Sequence, residues 1–261
     1  VKTQVATLFN LGATYISGNH RREDFLWADI VVKNPAIPPS HPLLKDARVV
    51  INDFSWLFSS PWVTEIKIIA ITGTKGKTTT SAAVAHALSE LGVEAMQCGN
   101  MGISGFTVLR EFEERRKQGR DLPTYLVCEF SSWQIRDTIT ALAGSMPDLE
   151  VCLLTNFYPD HLNTYESVER YMEDKLLLFG PFVKKAVIPQ IIYNRVQKQT
   201  RLDRKSIRSI DASVPKELAE QGQLHSAYAL LLALGFKYRQ ILTALSTFKG
   251  VPHRIEALGS V

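Results

Sequence analysis

Cysteine is scarce, with three in 261 residues: Cys98, Cys128 and Cys152. Their number is odd, they lie far apart, and apolar or strand-like residues flank each one. Neither a disulfide framework nor a zinc site is expected, and all three read as core thiols. Long apolar runs are missing too. No stretch approaches the roughly 20 uninterrupted apolar residues that a membrane helix needs, and Val1-Lys2-Thr3 does not begin a charged-then-apolar leader. Membrane insertion is therefore not expected, and retention in the cytoplasm is. Charge of one sign is lacking as well: 30 basic against 26 acidic residues leave a net +4, too small and too dispersed to imply a nucleic-acid partner. The basic cluster Arg115-Arg116-Lys117 sits beside Glu113 and Glu114 and reads as a solvated helix face or loop. Internal repeats and low-complexity tracts are also absent.

What is present is enough apolar residue, 45% of the chain, to bury one large domain or two smaller ones. Short β-branched runs alternate with longer stripes of helical period, which predicts an α/β fold with a mostly parallel sheet flanked by helices. Strands are expected at Ile30–Val32, Val49–Ile51, Ile66–Ile71, Ala95–Cys98, Tyr125–Glu129, Val151–Leu154 and Ala186–Ile188. Helices are expected at Thr78–Leu91, Val168–Phe179, Gln223–Leu234 and Tyr238–Phe248, with Gly92 and Gly235 as stops. Ser59-Ser60-Pro61 breaks the pattern and is the natural linker. It divides the chain into a thin first part, residues 1–60, and a large second part, residues 61–261.

The run Ile66–Thr72 feeds directly into Gly73-Thr74-Lys75-Gly76-Lys77-Thr78-Thr79 and an alanine-rich helix. That order suits a P-loop-type triphosphate site. The glycines allow a tight turn that presents N–H groups to phosphate oxygens, and the helix N-terminus adds its positive dipole end. Lys77 neutralises the β/γ charge, and Thr78 offers a hydroxyl to Mg²⁺. Where the usual loop has a glycine five positions before the Gly-Lys pair, this chain has Ile71, so the match is to a shortened variant. A plain glycine turn is the alternative, but it would not require Gly-Lys-Thr at the first helical turn.

Strands of a parallel sheet open on one edge, so residues ending other strands should converge on this loop. Glu129 ends one such strand, and His161 follows another through Thr155-Asn156. Both suit Mg²⁺ ligation, direct or through water. Equally, Glu129 could be a helix N-terminal acid and His161 a packing residue in a turn. Lys175 shares the apolar stripe of Val168, Tyr171, Met172, Leu178 and Phe179. It is either a snorkelling stem or a partly desolvated amine available for chemistry.

Taken in order, six segments resemble the Mur ligases, with the D-glutamate-adding branch nearest. They are Gly73–Thr79, Gly99-Asn100-Met101-Gly102, Glu129-Phe130-Ser131-Ser132-Trp133-Gln134, Asn156–Leu162, Lys175, and Pro252-His253-Arg254 with Glu256. Ala28–Ile37 and His41-Pro42-Leu43 look like the end of that family's Rossmann-like, UDP-substrate-binding first domain. The resemblance implies an ATP-dependent carbon–nitrogen ligase of peptidoglycan precursor synthesis. ATP would phosphorylate a carboxylate of a UDP-muramoyl-peptide-type substrate, UDP-N-acetylmuramoyl-L-alanine in the nearest branch. The amine of an incoming amino acid, D-glutamate, would then displace phosphate from the acyl phosphate.

Carried over by resemblance, Lys77 would hold the phosphates, and Thr78 and Glu129 a first Mg²⁺. His161 and a carbamylated Lys175 would hold a second. Asn100, Ser131 and Gln134 match substrate-binding positions, and Arg254 and the helix at His225 match the ATP side. A monomer is expected. The family's His-Asn-x-x-Asn helix reads His225-Ser226-Ala227-Tyr228-Ala229 here. By the same resemblance the chain begins past the first domain's glycine turn and ends before the family's third domain, so these residues are expected to be incomplete for turnover. Two alternatives remain: a non-catalytic descendant that binds nucleotide or a wall precursor, and a folylpolyglutamate-synthase-like ligase. The Pro-His-Arg-x-Glu segment and the UDP-like remnant weigh against the latter.

Overall fold

The structure is a computed structural model that describes residues 8, 10–99, 102–160, 165–199, 202–211, 214–218 and 221–251. After a short helix α1 (Arg22–Trp27), β1 (Val31–Val32) and β2 (Val50–Ile51) pair in parallel, and α2 (Asp53–Phe58) follows. The β-branched runs then build a second sheet in which every pairing is parallel: β3 (Lys67–Thr72), β4 (Ala95–Gly99), β5 (Tyr125–Glu129), β6 (Leu149–Leu154), β7 (Ala186–Ile188) and β8 (Ile207–Ser209), in spatial order β4-β5-β3-β6-β7-β8. Interspersed are α3 (Lys77–Glu90), α4 (Gly105–Lys117), α5 (Ser132–Ala141), α6 (Val168–Leu176), α7 (Tyr193–Gln199), α8 (Gly222–Leu234) and α9 (Tyr238–Ser246).

Period-two alternation sorts the side chains between two cores. Ile69, Ile71, Val127, Val151, Leu153 and Val187 face α3, α8 and α9, whereas Ile68, Ala70, Leu126, Cys128, Cys152 and Leu154 face α2 and α4 to α7. β3 lies between β5 and β6, so Ile68 through Ile71 are fully buried, and each isoleucine contributes roughly 1.5–3 kcal/mol. The alanines of α3 keep it thin enough to lie between the sheet and α8.

The three cysteines are buried free thiols. Cys98 and Cys128 stand opposite each other on β4 and β5 with their sulfurs 3.5 Å apart. Burial raises the Cys128 and Cys152 thiols well above their usual range.

Several elements differ from the sequence reading. β8 joins the sheet edge beyond the seven expected strands. α6 stops at Leu176 rather than Phe179, because the chain tightens into shorter turns, with Leu178 N–H on Lys175 O and Phe179 N–H on Leu176 O. The basic cluster ends α4, but Arg115 is largely buried, paired with Glu94 at 2.6 Å and Glu111 at 2.9 Å. α2 packs Phe54, Leu57 and Phe58 into the same core as the large sheet, with Phe54 stacked on Phe130 at 4.0 Å between centroids. Among the described residues no helix is long and apolar enough to cross a membrane.

Candidate functional site

From β3 the chain runs through α3 to β4 and β5 on one side and returns across β3 to β6 on the other. Helices on opposite faces leave a crevice at the carboxyl end of β3, the usual ligand position in such sheets. The loop after β3 fills it. Gly73 has φ +146°, and a Cβ there would lie 1.9 Å from Thr155 Oγ1. Gly76, at φ +79°, is the left-handed N-cap of α3.

The end of β6 clasps this loop. Thr155 donates to Lys75 O at 2.7 Å. The Asn156 amide donates to Lys75 O and accepts from Lys75 N–H, both at 2.9 Å. Thr74 N–H bonds Asn156 O at 3.1 Å, and Thr74 Oγ1 accepts from Tyr158 N–H at 3.1 Å.

Glu129 ends β5 on the parity of Tyr125 and Val127, which face α3, so its carboxylate meets the first turn of that helix. Thr78 Oγ1 donates to Glu129 Oε1 at 3.2 Å, and Glu129 is fully buried. Lys77 on the same turn folds back, its Nζ 3.0 Å from Gly73 O and 3.1 Å from Thr74 O.

From the opposite face α6 brings Lys175 to the same carbonyl, Nζ to Gly73 O at 3.0 Å, with the Tyr171 ring 4.4 Å below it. Lys175 is 2% exposed. Burial first, and then the charge of Lys77, push its ammonium down to about 7, against smaller upward effects of Asp160 and Asp174. Two lysines on one backbone oxygen make a strongly electropositive point, and the oxygen pair of Thr78 and Glu129 beside it suits a hard cation. Among the described residues no cluster of three His, Cys, Asp or Glu is placed to hold a metal. A cation held by Thr78 and Glu129 would complete its shell with water and phosphate oxygens, as Mg²⁺ does.

Beyond the same sheet edge lies a cavity of about 650 Å³ lined by Lys33, Asn34, Asp53, Gly99, Ser131 and Gln134, among others. Ser131 and Gln134 cap α5 reciprocally, with Gln134 N–H on Ser131 Oγ at 3.2 Å and Ser131 N–H on Gln134 Oε1 at 3.0 Å. Lys33, whose side chain is 1% exposed, pairs with Asp137 at 2.7 Å and ties β1 to α5. Desolvation raises the Asp137 carboxyl despite that partner.

Of the residues singled out from sequence, Gly73 through Thr79, Glu129 and Lys175 come together at the loop, and Ser131 and Gln134 line the cavity. His225 bonds Leu218 O at 2.8 Å, with no hydrogen bond to the loop among the described residues. Asn100, His161 and Arg254 lie outside the described residues. Sequence reasoning named Thr155 after a strand end, and Asn156 and Tyr158 in a motif, without seeing that they hold the loop, and it did not single out Asp53. Their only local signal is a polar residue just past a strand end.

Fold and site together define a doubly wound, P-loop-type α/β domain. The Mur ligase middle domain model matches residues 71–227, and the chain belongs to that family. A UDP-N-acetylmuramoylalanine--D-glutamate ligase of Synechococcus sp. is 31% identical over 267 residues, covering 88% of this chain and 54% of that protein. One of Sphingopyxis alaskensis is 33% identical over 263 residues, covering 93% and 56%. The chain thus spans about half the length of the curated relatives it matches. Among solved structures, the UDP-N-acetylmuramate:L-alanyl-gamma-D-glutamyl-meso-diaminopimelate ligase of Neisseria meningitides shares the fold at TM-score 0.59 and 15% identity, covering 94% of this chain and 87% of that one.

Proposed function

We propose that this chain is the nucleotide-handling part of a cytoplasmic, ATP-dependent amide ligase that adds D-glutamate to UDP-N-acetylmuramoyl-L-alanine. On this reading residues 61–261 form the ATP-binding domain, residues 1–60 belong to a UDP-substrate domain, and the protein acts as a monomer. The observation that carries it is the Thr78–Glu129 contact at 3.2 Å beside the two lysines on Gly73 O, at the crevice of a Mur ligase middle domain.

Lys77 and the loop N–H groups bind the β/γ-phosphates. Thr78 and Glu129 hold Mg²⁺, and His161 with a carbamylated Lys175 hold a second. When bound, these cations neutralise charge on the transferring phosphoryl group. The neutral amine fraction of Lys175 can add CO₂, which turns an awkwardly buried cation into an anionic oxygen ligand. His225 and Arg254 serve the ATP side. Asn100, Ser131 and Gln134 orient the precursor so that its carboxylate takes the γ-phosphoryl group of ATP, with ADP leaving, and the amine of D-glutamate then displaces phosphate from that acyl phosphate to form the amide.

Lys77→Ala is expected to abolish calorimetric binding of millimolar ATP, and retained affinity would refute this use of the loop. Phosphate release by the whole ligase, of which this chain is the nucleotide-handling part, should require both precursor and D-glutamate. A second reading, binding without turnover, is favoured by Ser226 and Ala229 at the family's two asparagine positions, both now buried. ATP binding without D-glutamate-dependent phosphate release would select it.

A further inference from the structure

Asp53 stands at the first turn of α2, and everything around it fixes its position. Asn52 caps the helix, accepting Ser55 N–H at 2.7 Å, and donates to Gln134 O at 3.3 Å and Thr138 Oγ1 at 2.9 Å, which anchors the turn to α5. On the other side Gly105 begins α4 so close that a Cβ on it would lie 2.5 Å from Asp53 O. Neither neighbour leaves the Asp53 backbone room to shift.

Asp53 is 8% exposed and lines the 650 Å³ cavity. Its side-chain Oδ2 accepts Gly105 N–H at 2.9 Å, while its Oδ1 is buried with no hydrogen-bond partner. Other polar groups of the cavity wall are already engaged. Lys33 holds Asp137, Ser131 and Gln134 hold each other, and Ser104 accepts Thr107 N–H. Of the described side chains lining this cavity, Asp53 alone keeps a buried polar atom without a partner. Leaving such an acceptor unmet costs on the order of 1–3 kcal/mol, and buried polar atoms in folded proteins nearly always find partners. A rigidly placed acceptor of this kind is completed by a donor that arrives with the ligand.

We propose that Asp53 is a specificity-determining residue of this cavity, its Oδ1 accepting an N–H or O–H of the N-acetylmuramoyl-alanyl half of the precursor. The inference rests on the ligase reading above and adds the group that distinguishes the precursor from its bare nucleotide.

Calorimetric titration of UDP-N-acetylmuramoyl-L-alanine, and separately of UDP, into the full chain and its Asp53→Asn variant tests it. Asparagine keeps an oxygen for Gly105 N–H but puts an amide donor where the second carboxylate oxygen stood. Precursor affinity should fall about tenfold to a hundredfold, while UDP affinity and the unfolding midpoint stay at their wild-type values. A merely structural role would instead lower the midpoint and both affinities together. Unchanged precursor affinity overturns the assignment and leaves the ligase reading standing. An equal loss for UDP and precursor overturns it too, since the contact would then lie on the nucleotide half. Failure of the unsubstituted chain to bind precursor overturns the ligase reading and this inference with it. If Asp53→Asn does not fold, Asp53→Ser withdraws the acceptor with a smaller side chain and is judged by the same comparison.

Discussion

Gly73→Ala should disable the phosphate loop and destabilise the domain, for reasons that can be sized. At φ +146° a residue with a Cβ is strained by on the order of 1–3 kcal/mol. The added methyl would also lie 1.9 Å from Thr155 Oγ1, 3.1 Å from Thr155 Cβ and 3.2 Å from Asn156 N. The nearest clash is relieved by rotating the threonine hydroxyl away, which breaks its 2.7 Å bond to Lys75 O and costs about 1 kcal/mol more. The total, roughly 2–4 kcal/mol, is a large fraction of a typical domain's stability. Urea unfolding should register it as a midpoint lowered by about 1–2 M at an ordinary slope, and ATP affinity should fall with it because Lys75 and Lys77 lose their backing. Thr155→Ala removes the offending oxygen. The double variant should therefore be less destabilised than the sum of the singles, by about 1 kcal/mol. A loss below about 1 kcal/mol for Gly73→Ala, or strict additivity in the double variant, would refute the close approach as the reason for glycine.

Three further outcomes follow from burial and charge. The Lys175 ammonium is pushed down to about 7 from its ordinary 10.5, so the folded state releases a proton that the unfolded chain keeps between those values. Stability should rise with pH across that window, and the penalty is fully present only below about 7. In CO₂-free buffer the difference between wild type and Lys175→Met should change by up to roughly 5 kcal/mol between pH 6 and 11, and a flat difference would place the amine in water. With bicarbonate present, intact mass near neutral pH should show one added CO₂ that Lys175→Met lacks. As for the thiols, the burial of all three, which also raises the Cys128 and Cys152 thiols above their usual range, predicts that a disulfide-exchange reagent labels none of them until urea unfolds the chain. Rapid labelling of the native protein would contradict their placement.

How much of this was legible beforehand depends on the range of the interactions involved. β3, β5 and β6 could be read because strands buried on both faces need continuous apolar runs. The loop could be read because its glycines, lysine and threonine are contiguous. Lys175 announced itself by breaking an apolar stripe. By contrast, the clasp of Thr155 and Asn156 on Lys75 joins positions some eighty residues apart through backbone groups that carry no residue signature. Asp53 is equally silent, because its meaning lies in Gly105 and in a cavity that exists only once β1, α2 and α5 meet. α4 was left between a helix face and a loop because charged residues dominate its exposed side, although Val108 and Phe112 are fully buried. α5 had a readable start in the Ser131-x-x-Gln134 capping box.

The placement of Lys175 shows how the fold sustains a feature that packing alone would remove. Asp174 and Lys175 are adjacent on α6 and both 2% exposed, so the helix buries two faces at this level. On one face Lys175 and Tyr171 turn to the loop. On the other Asp174 accepts Arg136 Nε at 2.7 Å and the Tyr165 hydroxyl at 3.0 Å, which fastens α6 to α5. A carboxylate brought inside by an arginine on the neighbouring helix keeps a second turn of α6 from drifting outward, and the lysine next to it is carried to Gly73 O. Removing the arginine would leave Asp174 buried with one hydroxyl partner, a state costing several kcal/mol. The helix would relieve that cost by moving away from the sheet and taking Lys175 with it. The ion pair between α5 and α6 thus helps to hold Lys175 at Gly73 O, though neither of its members touches the loop.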